Sequence, residues 1–113
     1  MSIPKVLIVE DNKINQKVIE AILNVFETNI KIVDSGEEAV AEVQNDNFDL
    51  ILIDFQLPKM SGVDAAILIR KYEKEKGSGA KSIIIALTAE VYNENRENCI
   101  KAGMDAFLTK PIR

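Results

Sequence analysis

The sequence predicts an α/β domain with a parallel sheet and helices on both of its faces. Short apolar runs rich in Ile and Val alternate with amphipathic helical segments along the 113 residues. These runs are apolar on both faces, as strands covered by helices on both sides are. Four of them stop at a polar residue, and the carboxyl ends of parallel strands lie at one edge of the sheet. The same observations therefore predict one domain over residues 1–113 and the edge that carries its site.

Five strands are predicted in chain order from the apolar runs and the turn residues that bound them. They are Lys5–Val9, Asn29–Val33, Phe48–Ile53, Ser82–Leu87 and Asp105–Thr109.

Four helices are predicted between these strands. The first covers Lys13–Glu27, and the second begins at a capping box that Ser35 opens. The third covers Val63–Lys76, and a weak, polar fourth lies within Tyr92–Ala102 and ends at Gly103. The predicted inward-facing residues are Ile14, Val18, Ile22, Val25 and Phe26 in the first helix, Ala39, Val40 and Val43 in the second, and Ala66, Ile67, Ile69 and Tyr72 in the third. The charges at Arg70, Lys71, Glu73, Lys74, Glu75 and Lys76 are interpreted as a solvated helix end.

The order βαβαβαβαβ favours the flavodoxin-like, doubly wound fold with strand order 2-1-3-4-5. The pattern stops after the fifth strand, so the usual fifth helix of this fold is absent from this chain. We expect the sheet surface that such a helix covers to be exposed, which usually marks an interaction site or a liability. A truncated chain, a helix swap, a dimer and a covering partner all remain open.

Composition excludes several function classes. A net charge of −4 argues against binding nucleic acid or anionic membranes, and no apolar stretch is long enough to cross a bilayer. The single cysteine, Cys99, excludes an internal disulfide and suits a reducing, cytoplasmic location. The absence of histidine excludes histidine bases, metal ligands and phosphate carriers within this chain.

Three carboxylates are predicted to meet where the first and third strands end. Glu10 and Asp11 follow the first strand, and Asp54 follows the third. Like charges this close favour a cation, and hard oxygen ligands favour Mg²⁺. A carboxylate can also act as a nucleophile and form an acyl phosphate, which is the role that we predict for Asp54.

Two further strand ends supply groups suited to a phosphoryl oxygen. Thr88 offers a hydroxyl donor, and Lys110 offers a cation. In isolation each residue has a plainer interpretation: Asp11 as a helix cap, Asp54 as a turn cap, Thr88 as an ordinary strand-end residue and Lys110 as a solvated charge. Their joint occurrence at successive strand ends favours the functional interpretation.

The chain resembles the receiver domains of two-component response regulators, especially those of hybrid sensor kinases. The resemblance covers nearly the whole chain in the right order, and its motifs are specific only together. They are Val9-Glu10-Asp11-Asn12 with Asn15-Gln16, the stretch from Asp54 to Gly62, Leu87-Thr88-Ala89, and the stretch from Ala102 to Pro111.

The resemblance implies that Asp54 accepts a phosphoryl group from a phosphohistidine of a histidine kinase or histidine phosphotransfer protein. It implies that Glu10, Asp11, Asp54 and the backbone carbonyl of Gln56 bind Mg²⁺, and that Thr88 and Phe107 form a switch pair. It also implies self-catalysed phosphorylation and dephosphorylation, with Gln56 and Glu90 at positions that vary the dephosphorylation rate. The Lys110-Pro111 bond is expected to be cis.

Two rival functions remain open. One is a receiver-like interaction module that works without phosphorylation, which the missing fifth helix suggests. The other is a hydrolase with the same nucleophile, or a flavin-binding protein. Multiple-turnover hydrolysis needs a second acid or base, where the chain has Gln56, and no aromatic pair for flavin stacking is evident near the strand ends.

Overall fold

The computed structural model describes residues 3–77, 81–88 and 93–109, without the side chains of residues 93–95. Within these residues there are five strands and four helices that alternate along the chain. In order they are β1 (Lys5–Val9), α1 (Lys13–Leu23), β2 (Asn29–Val33), α2 (Gly36–Asn45), β3 (Leu50–Asp54), α3 (Gly62–Lys76), β4 (Ile83–Thr88), α4 (Asn93–Lys101) and β5 (Ala106–Thr109).

All five strands pair in parallel, and their order is β2-β1-β3-β4-β5. The predicted fold class and strand order are therefore confirmed. The order reverses direction between β1 and β3, which pair from Val6 with Leu50 to Val9 with Ile53. This switch point is where open α/β sheets bind their ligands.

The two faces of the sheet are covered unequally. The larger apolar cluster joins the sheet to α2, α3 and α4 and includes the fully buried residues Leu7, Ile53 and Ile69. The smaller cluster lies on the other face, where α1 contributes Ile19. On that face Ile83 is 54% exposed and Leu108 is 47% exposed. In the described part of the chain α1 is the only helix in that smaller cluster, as the prediction of an uncovered face requires.

Helix α1 is shorter than predicted, and a different stripe of it faces inward. It ends at Leu23 rather than Glu27, and the chain leaves it through the tighter hydrogen bond from Phe26 N to Leu23 O (2.9 Å). Val25 and Phe26 find no core to pack on and are exposed, as are Ile14 and Val18. The buried positions of α1 are Gln16 and Ile19.

β1 and β2 have the predicted bounds, and the bounds of β3 and β4 differ from prediction by one or two residues. β3 begins at Leu50 and ends on Asp54, while β4 ends on Thr88. These two polar residues are therefore the last residues of their strands rather than the residues that follow them. Helix α2 begins as predicted, because the Ser35 hydroxyl accepts a hydrogen bond from Glu38 N at 3.1 Å.

The predicted inward faces of α2 and α3 are largely correct. Ala39, Val40 and Val43 are buried in α2, and Ala66 and Ile69 are buried in α3, with Tyr72 partly buried against the same cluster. Ile67 is the exception, since it is half-exposed. The longest helix, α3, has 15 residues, and no described helix is both long and apolar enough to cross a membrane.

The interpretation of Arg70 and Glu73 as part of a solvated helix end is wrong. Arg70 donates to the backbone carbonyls of Gly103 (2.8 Å) and Ser82 (2.7 Å) and to the Asp105 carboxylate (2.7 Å). It also pairs with Glu73 at 2.8 Å, and the two side chains are only 15% and 12% exposed. The sequence hides this role because the partners lie far along the chain. The network ties α3 to β4 and to the loop before β5, at the edge of the sheet opposite the carboxylates.

Lys76 is exposed, as that interpretation expects, but it also has backbone partners. Its ammonium donates to the backbone carbonyls of Val43 and Asp46, so the end of α3 is attached to the end of α2.

Candidate functional site

The three predicted carboxylates meet at the carboxyl edge of the sheet. Glu10 follows β1, Asp11 comes next in the chain, and Asp54 ends β3. One carboxylate oxygen from each residue lies within 4.8 Å of the other two. Glu10 and Asp54 are buried, whereas Asp11 is exposed to solvent. These residues therefore form an acidic cluster with two buried members and one that is exposed to solvent.

The backbone around Asp54 fixes the direction of its side chain. The backbone N–H of Gln56 donates to Asp54 Oδ1 at 3.0 Å, and the N–H of Phe55 donates to Leu87 O at 2.7 Å. The loop then returns to the strand, where Gly62 N donates to Phe55 O at 3.1 Å. A Cβ on Gly62 would lie 3.0 Å from Phe55 Cα and 3.1 Å from the Asp54 carbonyl carbon, so glycine allows this close return.

Thr88 stands beside Asp54 in the sheet. Leu87 pairs with Asp54, and Thr88 is the next residue of β4 and the last of that strand. Its side chain is buried. Thr88 therefore ends the strand that neighbours the Asp54 strand, at the same carboxyl edge of the sheet. Lys110, Ala89, Glu90 and Pro111 lie outside the described residues.

Phe107, the other predicted switch residue, lies on the neighbouring strand. It pairs with Ala86 of β4, two residues before Thr88, and is half-buried against the larger apolar cluster. The Arg96 guanidinium of α4 lies 5.0 Å from the centre of its ring, within cation–π range. The ring and Arg96 also line an apolar cavity between α4 and β5.

Two amides at the start of α1 complete the site. Asn15 Nδ2 donates to Glu10 Oε1 at 2.5 Å, and Gln16 Nε2 donates to Glu10 O at 2.5 Å. Both residues belong to the first of the motifs by which the sequence resembles receiver domains, but the sequence alone indicates no role for them. Their position one turn into the helix is the available signal, because helical side chains lean toward the helix N-terminus and therefore toward the end of β1.

Asp34, at the end of β2, extends this arrangement. Its Oδ1 accepts from Lys13 Nζ at 2.9 Å and from Gln16 Nε2 at 2.7 Å. These hydrogen bonds, that of Lys13 first, hold the pKa of the Asp34 carboxyl below its usual value.

The donor set fits a small, hard divalent cation. All three groups are carboxylate oxygens, which Mg²⁺ prefers, and oxygens around one Mg²⁺ are separated by roughly 3–4 Å because each lies about 2.1 Å from the ion. The observed separations are compatible with direct ligands or with a ligand acting through a metal-bound water.

Comparison with known proteins agrees with this architecture. Residues 6–113 match the response regulator receiver domain family. The chain is 38% identical over 109 residues to the sensor protein GacS of Pseudomonas syringae pv. syringae, covering 96% of this chain and 12% of that protein. It is 39% identical over 112 residues to hybrid signal transduction histidine kinase L of Dictyostelium discoideum, covering 96% of this chain and 6% of that protein. The chain thus spans only a small part of these relatives.

Solved structures show the same likeness. The receiver domain of a sensor histidine kinase from Pseudomonas aeruginosa PAO1, with a magnesium ion in its active site cleft, is 38% identical with a TM-score of 0.85, and the alignment covers 99% of this chain and 88% of that one. The co-crystal structure of the Saccharomyces cerevisiae phosphotransfer protein Ypd1 and the receiver domain of Ssk1 gives 37% identity and a TM-score of 0.89, covering 100% of this chain and 83% of that one. The chain therefore belongs to the receiver domain family of response regulators, the phosphoacceptor signalling domains of two-component systems.

Proposed function

We propose that Asp54 is the phosphoacceptor of this domain and takes its phosphoryl group from a phosphohistidine. The observation that carries the proposal is the convergence of Asp54 with Glu10 and Asp11 at the end of the sheet. Three carboxylates so close repel one another, and this arrangement is useful where a cation and a phosphoryl group are to be bound together.

The transfer is a displacement at phosphorus. One carboxylate oxygen of Asp54 attacks, a new P–O bond forms, and the P–N bond to the donor imidazole breaks. The imidazole leaves with the electron pair and takes up a proton. Water later attacks the acyl phosphate, which releases inorganic phosphate and restores the Asp54 carboxylate. The domain catalyses both of these steps on itself.

Magnesium is the cofactor of the proposed reaction. Glu10, Asp11 and Asp54 would hold it with their carboxylates, and Gln56 would add its backbone carbonyl. When bound, the ion supplies positive charge to the equatorial phosphoryl oxygens. The Gln56 N–H, which already donates to Asp54 Oδ1, keeps the attacking carboxylate in a fixed orientation.

Thr88 and Lys110 are the groups that respond to the phosphoryl group. The Thr88 hydroxyl donates a hydrogen bond to a phosphoryl oxygen, and the Lys110 ammonium neutralises charge. Movement of Thr88 toward the phosphoryl group leaves space that Phe107 fills by turning inward. Phenylalanine has no hydroxyl, so the new position of its ring is detected by partners through packing alone.

The test of this function is a change in mass. The protein is incubated with acetyl phosphate and MgCl₂, and its intact mass is measured over time. We expect one added phosphoryl group on the wild type and none on Asp54→Asn. Asp49→Asn is the matched control, since Asp49 precedes the same strand at the opposite edge and accepts a hydrogen bond from Lys5 N at 2.8 Å. Labelling of Asp54→Asn at the wild-type rate would overturn the assignment.

The proposed partner is a histidine phosphotransfer protein or a histidine kinase. The complex of Ypd1 with the Ssk1 receiver domain shows this kind of partner for a relative. In this chain Ile14 is 73% exposed on the first turn of α1, and it precedes Asn15, which donates to Glu10 of the acidic cluster. The Ile14 side chain can therefore form an apolar contact with a docked protein. We expect Ile14→Glu to slow transfer from a phosphorylated protein donor and to leave labelling by acetyl phosphate unchanged. Equal slowing with both donors would contradict a docking role. A cytoplasmic location is part of this proposal.

The exposed sheet face favours a second candidate, an interaction module that dimerises or exchanges a helix without phosphorylation. Ile83 and Leu108 are its large exposed apolar residues. Sedimentation of the wild type and of Leu108→Lys measures association through this face. Phosphate-dependent NMR shifts at Thr88 and Phe107 would exclude a phosphate-independent module.

A further inference from the structure

Two adjacent amides of α1 hold Glu10 from two sides, one at its side chain and one at its backbone. We propose that Asn15 and Gln16 are positioning residues that set the affinity of the acidic cluster for Mg²⁺ and its preference for Mg²⁺ over Ca²⁺. The inference rests on the proposed function, because it takes the acidic cluster to be the metal site.

Asn15 fixes the orientation of the Glu10 carboxylate. Its Nδ2 donates to Oε1 at 2.5 Å, and the accepting Glu10 is completely buried while Asn15 is partly exposed. The backbone of Asn15 is itself anchored, since its N–H donates to the side chain of the helix cap Asn12 at 3.0 Å. A donor attached to a capped helix end restricts rotation of the terminal torsion of Glu10, which is otherwise broad.

Gln16 fixes the backbone at the same residue. Its Nε2 donates both to Glu10 O and to Asp34 Oδ1 (2.7 Å), and Asp34 is held in turn by Lys13. Gln16 is buried, although most glutamines are exposed. The turn that presents Glu10 and Asp11 is therefore tied to the end of β2 by a chain of side-chain hydrogen bonds, in addition to the backbone bond from Glu10 N to Val33 O (3.1 Å).

A rigid acidic cluster discriminates between cations. Mg²⁺ demands near-ideal octahedral geometry at about 2.1 Å, whereas Ca²⁺ accepts six to eight ligands in flexible geometry at about 2.3–2.6 Å. Removal of a group that orients a metal ligand typically weakens metal binding about 10- to 100-fold. Loss of either amide should therefore weaken Mg²⁺ binding about 10-fold and Ca²⁺ binding less.

The experiment is isothermal titration calorimetry of MgCl₂ and CaCl₂ into the unphosphorylated protein. The variants are Asn15→Ala and Gln16→Ala, with Asn15→Leu as a variant of similar size that lacks the donor. Asn45→Ala is the matched control, because its Nδ2 also bonds a carbonyl (Ala41 O, 3.1 Å) but lies in the last turn of α2. We expect the Mg²⁺ Kd to rise about 10-fold in the three site variants and to stay unchanged in the control.

Two outcomes would overturn the inference while leaving the proposed function intact. One is a Mg²⁺ Kd within about twofold of wild type in both Asn15 variants, which is below the effect expected of a group that orients a ligand. The other is an equal loss of Mg²⁺ and Ca²⁺ affinity, which indicates a general change of charge or structure. Failure of the wild type itself to bind Mg²⁺ would instead contradict the proposed function.

Discussion

Because Gly62 has no side chain, α3 can approach the end of β3 closely. The substitution Gly62→Ala tests how much this close approach matters for stability. The added Cβ would lie 3.0 Å from Phe55 Cα and 3.1 Å from the Asp54 carbonyl carbon, and closer still to the Asp54 carbonyl oxygen. Carbon atoms pack best at about 3.5–4.0 Å, so two contacts overlap by roughly 0.5 Å, and all three involve backbone that cannot rotate away. We expect a loss of about 2–3 kcal/mol in the free energy of unfolding, as for an overpacked site.

Urea denaturation followed by circular dichroism measures this loss, and two other glycines serve as controls. Gly77 has a φ of +65° with nothing within 4 Å of a Cβ, so Gly77→Ala isolates backbone strain, worth about 1 kcal/mol. Gly36 would place its Cβ 3.2 Å from two side-chain atoms of Met60 and 3.2 Å from its backbone oxygen; because these contacts are longer than those of Gly62 and two of the three atoms belong to a flexible side chain, Gly36→Ala should cost less than Gly62→Ala. A Gly62→Ala protein as stable as Gly36→Ala would refute the close-approach argument. Phosphorylation of Gly62→Ala should also be slowed, since the shifted backbone carries Asp54.

Three further predictions concern residues outside the acidic cluster. Arg70→Met should lower the free energy of unfolding by about 2–3 kcal/mol, because the Gly103 and Ser82 carbonyls lose the Arg70 donor and the Glu73 and Asp105 carboxylates lose their counter-charge; exposed Lys71→Met is the control, and equal losses would contradict the role of the network. Asp34 should titrate below its ordinary pKa of 3.8 in NMR spectra. A lowered folded pKa means that its stabilising effect is present above the unfolded pKa and is lost as pH falls through the folded one. Lys13→Met should raise that midpoint, and an unchanged midpoint would count against the Lys13 hydrogen bond. Burial raises the pKa of the Cys99 thiol, so a thiol reagent at pH 8 should react more slowly with the folded than with the urea-unfolded protein, and equal rates would show that the thiol is accessible.

The positions of Asp54 and Thr88 could be predicted because strand ends are visible in the sequence. Each interrupts an apolar run, and a parallel sheet brings such ends to one edge whatever the loops do. The meeting of Glu10, Asp11 and Asp54 needed only the strand order. The exact strand ends could not be predicted from the sequence. Asp54 and Thr88 were expected to follow their strands, but both still pair in the sheet as the last residues of β3 and β4.

The orientation of α1 could not be predicted in the same way. Ile14 and Val18 repeat at helical spacing and so suggest a core face, yet Gln16 and Ile19 are the buried pair. A polar residue is buried here because Glu10 O and Asp34 offer hydrogen-bond acceptors that only the tertiary structure brings together. Arg70 escaped prediction for the same reason: apart from Glu73, its partners are 12 to 35 residues further along the chain.

Charged residues are arranged differently at the two edges of the sheet. At the carboxyl edge, the carboxylates of Glu10, Asp11 and Asp54 are assembled within reach of one cation. At the other edge, Arg70 lies among the Glu73 and Asp105 carboxylates and two backbone carbonyls, so opposite charges meet and buried polar groups are satisfied. The second edge holds α3, β4 and the loop before β5 together through contacts that do not involve the acidic cluster. The strand that ends at Thr88 is consequently anchored at its far end, and α3, which follows the Asp54 loop, is joined to it by contacts that do not depend on what the acidic cluster binds.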